Sequence, residues 1–303
     1  MPSGQSPPRD DMLTDADLPG LWRELGIPGA IDVHTHFLPA PVMRAVWSYF
    51  DEAEANYGVA WPITYRWQDD ERLAHLRAMR ILRFTALVYA HKSGMAAWLN
   101  DWALEFAADV PDCLPTATFY PEFEARDYVA SALQRGARVF KVHLQVGDFD
   151  PRDRLLDPVW GQLADAAVPV VVHCGSAPLP GRFTGPGPIG EVARRVPDLR
   201  LIVAHLGAGE FAEFLELTET RPHTWLDTTM GLTGFMQGLR PFPEQLLPRL
   251  RAASSEGRVL FGSDYPNIPY AYAHQVEVLL DHGVDMPEVL WHAPARLFSV
   301  ATD

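Results

Sequence analysis

Lysine is nearly absent: Lys92 and Lys141 are the only two among 25 basic residues, and the other 23 are arginine. Under such a bias, a retained lysine marks a place where a broad, permanently charged guanidinium cannot serve. Cysteine is as scarce. Cys113 and Cys174 are too few for a disulfide scaffold, so a reducing cytoplasm is the expected compartment. No apolar run approaches the roughly 20 residues that a membrane-spanning helix needs. The opening MPSGQSPPRDDMLTD has neither the basic nor the apolar part of a secretory signal. Positive charge is also short, since 25 basic against 39 acidic residues leaves −14. An acidic surface repels phosphate backbones and anionic headgroups, which argues against nucleic acid and membrane and leaves a small molecule as the expected partner.

What the chain does hold is alternation. Residues 1–20 are polar and read as a loosely held N-terminal arm, with one domain expected over 21–303. Short β-branched runs then recur at 30–37, 81–89, 113–120, 137–144, 169–175, 200–207, 223–229 and 258–264. Helical patterns lie between and after them, at 69–80, 95–108, 122–136, 156–166, 188–196, 209–219, 243–255 and 272–282. Near-continuous apolar strands alternating with helices predict a parallel sheet covered on both faces. Eight strands in about 250 residues fit an α/β (β/α)8 TIM barrel better than a doubly wound sheet. A doubly wound sheet would more often place a glycine-rich turn after its first strand, where this chain has His-Thr-His. The segment 44–68 is long for a loop and rich in Trp and Tyr. It reads either as an insertion packed on the barrel or as a lid after the first strand.

Active sites of such barrels gather at the C-terminal strand ends, so polar residues that close apolar strands are the informative ones. They are Asp32, His34 and His36 on the first strand, Lys141 and His143 on the fourth, and His173 on the fifth. His205, Asp227 and Asp264 close the sixth, seventh and eighth. Two imidazoles at i and i+2 can lean onto one ion, and a further histidine with a carboxylate completes a compact set that accepts zinc. Manganese, iron or cobalt would accept the same ligands. Asp227 reads as an orienting partner or as a helix cap. Cys174 follows a candidate ligand directly, so alternation turns it away into packing. Arg182, in the long loop after the fifth strand, reads as a clamp for a substrate carboxylate or as a solvated arginine.

Taken together, DVHTHF (32–37), HCG (173–175), AHLG (204–207), GSDYP (262–266) and PARLF (294–298) are specific. The chain resembles the amidohydrolase superfamily over about residues 30–299, in the amidohydrolase-related branch that includes aminocarboxymuconate semialdehyde decarboxylase. The resemblance implies one divalent ion held by His34, His36, His173 and Asp264, with zinc expected. It implies that His205 is an unliganded catalytic histidine, that Asp264 also handles the proton, and that the enzyme is a homodimer. Lys141 departs from the mostly mononuclear branch. It is a metal-bridging carboxylated lysine, a cationic substrate-binding group or a salt-bridged barrel residue, with His143 beside it as a substrate contact. The reaction expected is hydrolysis of a small anionic amide or lactone by metal-activated water. The alternative is non-oxidative decarboxylation of a small carboxylic acid at the same site.

Overall fold

The computed structural model describes residues 12–300. Nine short strands, all parallel to their neighbours, make the barrel wall. They are β1 (Ala30–Asp32), β2 (Ile81–Thr85), β3 (Cys113–Leu114), β4 (Thr116–Thr118) and β5 (Val139–His143). The remaining four are β6 (Val170–His173), β7 (Leu201–Val203), β8 (Thr224–Asp227) and β9 (Val259–Leu260). The eight expected runs become nine because Pro115 divides the third. Proline has no N–H to give a ladder, so β3 pairs back to β2 and β4 pairs on to β5. The wall closes where Val33 N–H donates to Phe261 O at 2.9 Å and His36 N–H donates to Tyr265 O at 2.7 Å. The chain is a (β/α)8 barrel.

The strands are shorter than their apolar runs. In β1, β7 and β9 the missing ends include the polar residues His34, His36, His205 and Asp264, since these strands stop at Asp32, Val203 and Leu260, whereas β5, β6 and β8 keep His143, His173 and Asp227 as their last residues. Val170, Val171 and Val172 are wholly buried, as are Leu201, Ile202 and Val203. A central strand with both faces covered needs exactly such side chains, and β-branching suits them to the pleat. Helices pack around the strands, including α1 (Leu18–Glu24), α4 (Asp69–Ala78) and α5 (Ala96–Asp109), while α2 (Ala40–Asp51) and α3 (Ala53–Tyr57) contribute side chains to the cavity at the barrel mouth. Asn100 on α5 reaches into the break beside Pro115, accepting Thr118 N–H at 2.7 Å and donating to Thr118 O at 3.1 Å. No described helix is long and apolar enough to cross a membrane.

The expected arm needs correction over its described part, and residues 1–11 lie outside the described residues. Residues 12–20 are pinned to the barrel. Leu18 is fully buried, and Leu13 N–H donates to Glu277 at 3.0 Å. Asp15 accepts from Tyr65 Oη, from His75 Nε2 at 2.8 Å and from Ala273 N–H at 2.8 Å. An aspartate-rich stretch reads as solvated until its partners, 50 to 258 residues away, are known. Burial works to raise the Asp15 carboxyl, but its bonds from His75, Tyr65 and Ala273 outweigh this and hold it below the usual value. Its contribution is therefore present above the unfolded carboxylate range and is lost as pH falls through the lower folded value. Asp15→Ala should cost about 2–3 kcal/mol in urea unfolding at neutral pH, since three donors lose their acceptor. The difference from the parent should shrink in acid.

Candidate metal centre and active site

The barrel mouth is organised from beneath by two buried carboxylates. Asp32 accepts from His34 N–H at 3.1 Å, from Ser263 N–H at 3.1 Å and Oγ at 2.5 Å, and from Tyr272 Oη at 2.7 Å. It ties the first strand to the last, and burial raises its pKa to about 7 despite these bonds. Asp227, closing β8, has its Oδ2 at 2.9 Å from His34 Nδ1, while its Oδ1 accepts from His205 N–H at 2.9 Å and Thr229 N–H at 3.1 Å. Of the two readings left open for Asp227, the orienting one matches this geometry.

Because Asp227 can only accept, the proton of His34 is assigned to Nδ1 and its Nε2 keeps a lone pair. His36 follows the same logic: Nδ1 lies 2.8 Å from Leu87 O, a pure acceptor, so Nε2 is again bare. That Nε2 stands 3.0 Å from Asp264 Oδ1, and His34 Nε2 stands 3.6 Å from the same oxygen. The three ligand atoms all lie within 4.8 Å of one another. Among themselves these three acceptors share no hydrogen, and of the described residues beside them only Lys141 Nζ, 3.2 Å from His34 Nε2, approaches as a donor. The residues present therefore fit a divalent ion. Burial works to raise Asp264, but the imidazoles around it, His36 first and then His34 and His205, hold it well below the usual carboxylate range.

His173 does not join this group. The β5–β6 register sets His143 directly beside His173, and their rings stack 3.8 Å apart and 12° from parallel. His173 Nε2 also donates to Ala177 O at 3.1 Å. The ring is thus held by its neighbour and by its own loop, and the expected four-ligand set stands here as three. His143 accepts Val146 N–H at 3.2 Å through Nδ1, which leaves Nε2–H as its free donor at the cavity. His205 departs from strand geometry altogether. It lies in a tight turn after β7 with φ of 57°, followed by Leu206 at 55°, and its Nδ1 meets Thr229 O at 3.1 Å. Its ring centroid stands 5.0 Å from that of His34 and 4.7 Å from that of His173. Burial, then the charge of His34, lowers its pKa to about 4. It is accordingly neutral at pH 7, with its Nε2 lone pair directed away from Thr229.

Lys141 is fully enclosed, and its Nζ lies 3.2 Å from His34 Nε2. No described carboxylate is within ion-pair distance of Nζ, so the salt-bridged alternative has no partner here. Burial lowers its pKa to about 8 against the pull of Asp227 and Asp264. Arg182 is the other correction. It is exposed, lies 5.0 Å over the ring of Phe183, and does not line the cavity. A guanidinium that can stack on an adjacent ring in solvent has no reason to enter the barrel. Cys174 is fully buried, as alternation requires.

Three contributors have weak or no signal in sequence. Asn267, just past Asp264, accepts Trp47 Nε1–H at 3.1 Å on its side chain and Trp61 Nε1–H at 2.7 Å on its backbone, and donates its N–H to Asp264 O at 2.8 Å. Tyr89 ends the second run with its ring 5.9 Å from His36. Gly262 leaves room that any side chain would fill. A Cβ there would overlap Thr229 Oγ1 and stand 2.7 Å from His34 Cβ. Over the centre opens a cavity of about 540 Å3, walled on one side by α2 and the residues after it. Asp227→Asn should keep the fold yet weaken divalent-ion binding about 10–100-fold in chelator competition, because His34 would lose the acceptor that sets its tautomer.

The amidohydrolase family profile matches residues 31–300. Among curated proteins none matches the sequence. Of solved structures, an uncharacterised TIM-barrel protein from Bordetella bronchiseptica has a TM-score of 0.70 at 20% identity, over 89% of this chain and 98% of its own. A protein from Pseudomonas putida assigned as a 2-pyrone-4,6-dicarboxylic acid hydrolase has a TM-score of 0.59 at 18% identity, over 91% and 99%. The 5-carboxyvanillate decarboxylase of Sphingomonas paucimobilis has 0.60 at 14%, over 90% and 99%. With a barrel of this closure, a mouth built from its first and last strands, and a family match spanning both, the chain belongs to the amidohydrolase family and is an enzyme of its amidohydrolase-related branch.

Proposed function

We propose that this enzyme hydrolyses an amide or lactone with the help of one divalent ion. The observation that carries the reading is the convergence of His34 Nε2, His36 Nε2 and Asp264 Oδ1 at the floor of a closed-sided cavity, each imidazole fixed with its lone pair inward. His34, His36 and Asp264 would hold the ion, zinc first and manganese, iron or cobalt as alternatives, and when bound it supplies Lewis acidity toward water and carbonyl oxygen. His173 is placed to join only if its ring leaves His143 and Ala177 O.

The chain's own groups supply the rest. Asp264 Oδ2 is the nearest carboxylate oxygen able to take a proton from the attacking water and return it to the leaving nitrogen or oxygen. Lys141 Nζ stands beside the same floor and can stabilise negative charge that develops on the carbonyl oxygen. His205 presents a neutral nitrogen as proton acceptor, aimed by Thr229 O and by the backbone bond to Asp227. On the far side the cavity is lined by apolar side chains of α2, among them Val42, Val46 and Phe50.

Two measurements test this. Exhaustive chelation should abolish lactone or amide turnover, and adding back the ion should restore it; full turnover in an ion-free protein would remove the reading. His205→Ala should retain the ion while turnover falls about 10²–10⁴-fold, the range of a positioned proton-transfer group. Loss of the ion would make His205 a ligand instead. Release of CO2 from a carboxylic acid, without oxidant and without hydrolysis of any lactone or amide, would replace hydrolysis by decarboxylation.

A further inference from the structure

The cavity changes chemistry sharply with distance from the floor. His34, His36, His143, His173, His205, Asp264 and Lys141 cluster at the barrel end, whereas Val42, Val46, Phe50, Trp61, Leu99 and Met236 line the cavity wall away from it, with Tyr49, Tyr57, His91 and Gln145 among them. The rings of that wall are in mutual contact: Phe50 and Trp61 centroids lie 5.0 Å apart, Tyr57 and Trp61 6.0 Å, and Trp61 and Phe235 4.7 Å. They are also anchored. Trp61 Nε1 donates to Asn267 O at 2.7 Å, so the indole presents only hydrocarbon to the cavity.

Charge and size then narrow what can sit there. Lys141 is the one lysine or arginine among the described residues lining the cavity, and it faces the reacting end, 3.2 Å from His34 Nε2. Arg182, the arginine expected to grip a carboxylate, lies outside over Phe183. A second carboxylate on a bound substrate, placed away from the floor, would lose its water among mostly apolar side chains and find no lysine or arginine to pair with. An apolar cavity of about 150 Å3 already holds a benzene molecule. The 540 Å3 here is more than three times that.

We infer that the substrate is a carbonyl compound with an uncharged aryl body about two rings in size and at most one anionic group, placed next to the reacting carbon. The inference rests on the hydrolytic reading for the reacting end, and on the walls alone for the body. A matched pair of ligands separates the two. Binding of 2-naphthoate and of 2,6-naphthalenedicarboxylate to the ion-loaded protein is measured by calorimetry and by quenching of tryptophan fluorescence. The monoacid should bind about 30-fold more tightly or better, the penalty for an unpaired carboxylate in an apolar wall. Val46→Arg should narrow or reverse that ratio by supplying the missing cation. Equal or tighter binding of the diacid by the parent protein, or no binding of either, overturns the inference. If the monoacid preference holds while no aryl lactone or amide is hydrolysed, the reaction assigned above is wrong and the substrate body stands.

Discussion

Both oxygens of Asp227 are occupied inside the barrel, Oδ2 by His34 Nδ1 and Oδ1 by the backbone N–H groups of His205 and Thr229. That carboxylate is fully buried, and burial by itself would push it toward the neutral form. The charge of His34 and its hydrogen bond outweigh burial and hold it well below the usual range, so it remains an acceptor. Everything at the mouth follows. An acceptor at Nδ1 decides which nitrogen of His34 is bare. The bond to His205 N–H fixes a turn whose backbone lies in the left-handed region at two consecutive non-glycine residues. Such conformations persist only where the surroundings over-determine them. Here the surroundings are Asp227 on one side and Thr229 O on the other.

The same economy links the apolar wall to the candidate metal site. Asp264 is also left-handed, with φ of 69°, and its carbonyl accepts Asn267 N–H. Asn267 in turn receives both indoles, from Trp47 and Trp61. The aromatic segment after the first strand is therefore bonded to the loop that carries Asp264, and one continuous hydrogen-bonded unit joins the two ends of the cavity. A side chain at 262 would break this arrangement from below by pressing on His34 and Thr229.

The barrel was legible because an apolar run and its helix recur eight times, and the mouth because polar residues end those runs. His34, His36, Lys141, His205 and Asp264 could be placed together from that pattern alone. What one sequence does not carry is lateral register. Whether His173 turns toward His34, His36 and Asp264 or stacks on His143 depends on the pairing of β5 with β6, and that pairing sets the two rings side by side. Arg182 misled for a related reason. A loop arginine points wherever its nearest partner lies, and Phe183 is adjacent in the chain. The anchoring of the arm was invisible because the partners of Asp15 come from positions 65, 75 and 273, which no local reading can assemble.

The scarcity of lysine acquires a physical meaning from the same geometry. Lys92 is exposed, whereas Lys141 is sealed beneath the cavity with one amine pointing at His34. A guanidinium carries five donors on a planar fork and cannot lose its charge, so at this depth it would leave several donors without acceptors. An ammonium places a single compact charge and tolerates burial by releasing a proton more readily, which is the direction of the shift to about 8. Among the described residues lining the cavity no other lysine or arginine occurs, so charge of this kind is confined to the floor beside His34. That is the end at which the proposed reading places the reacting carbon.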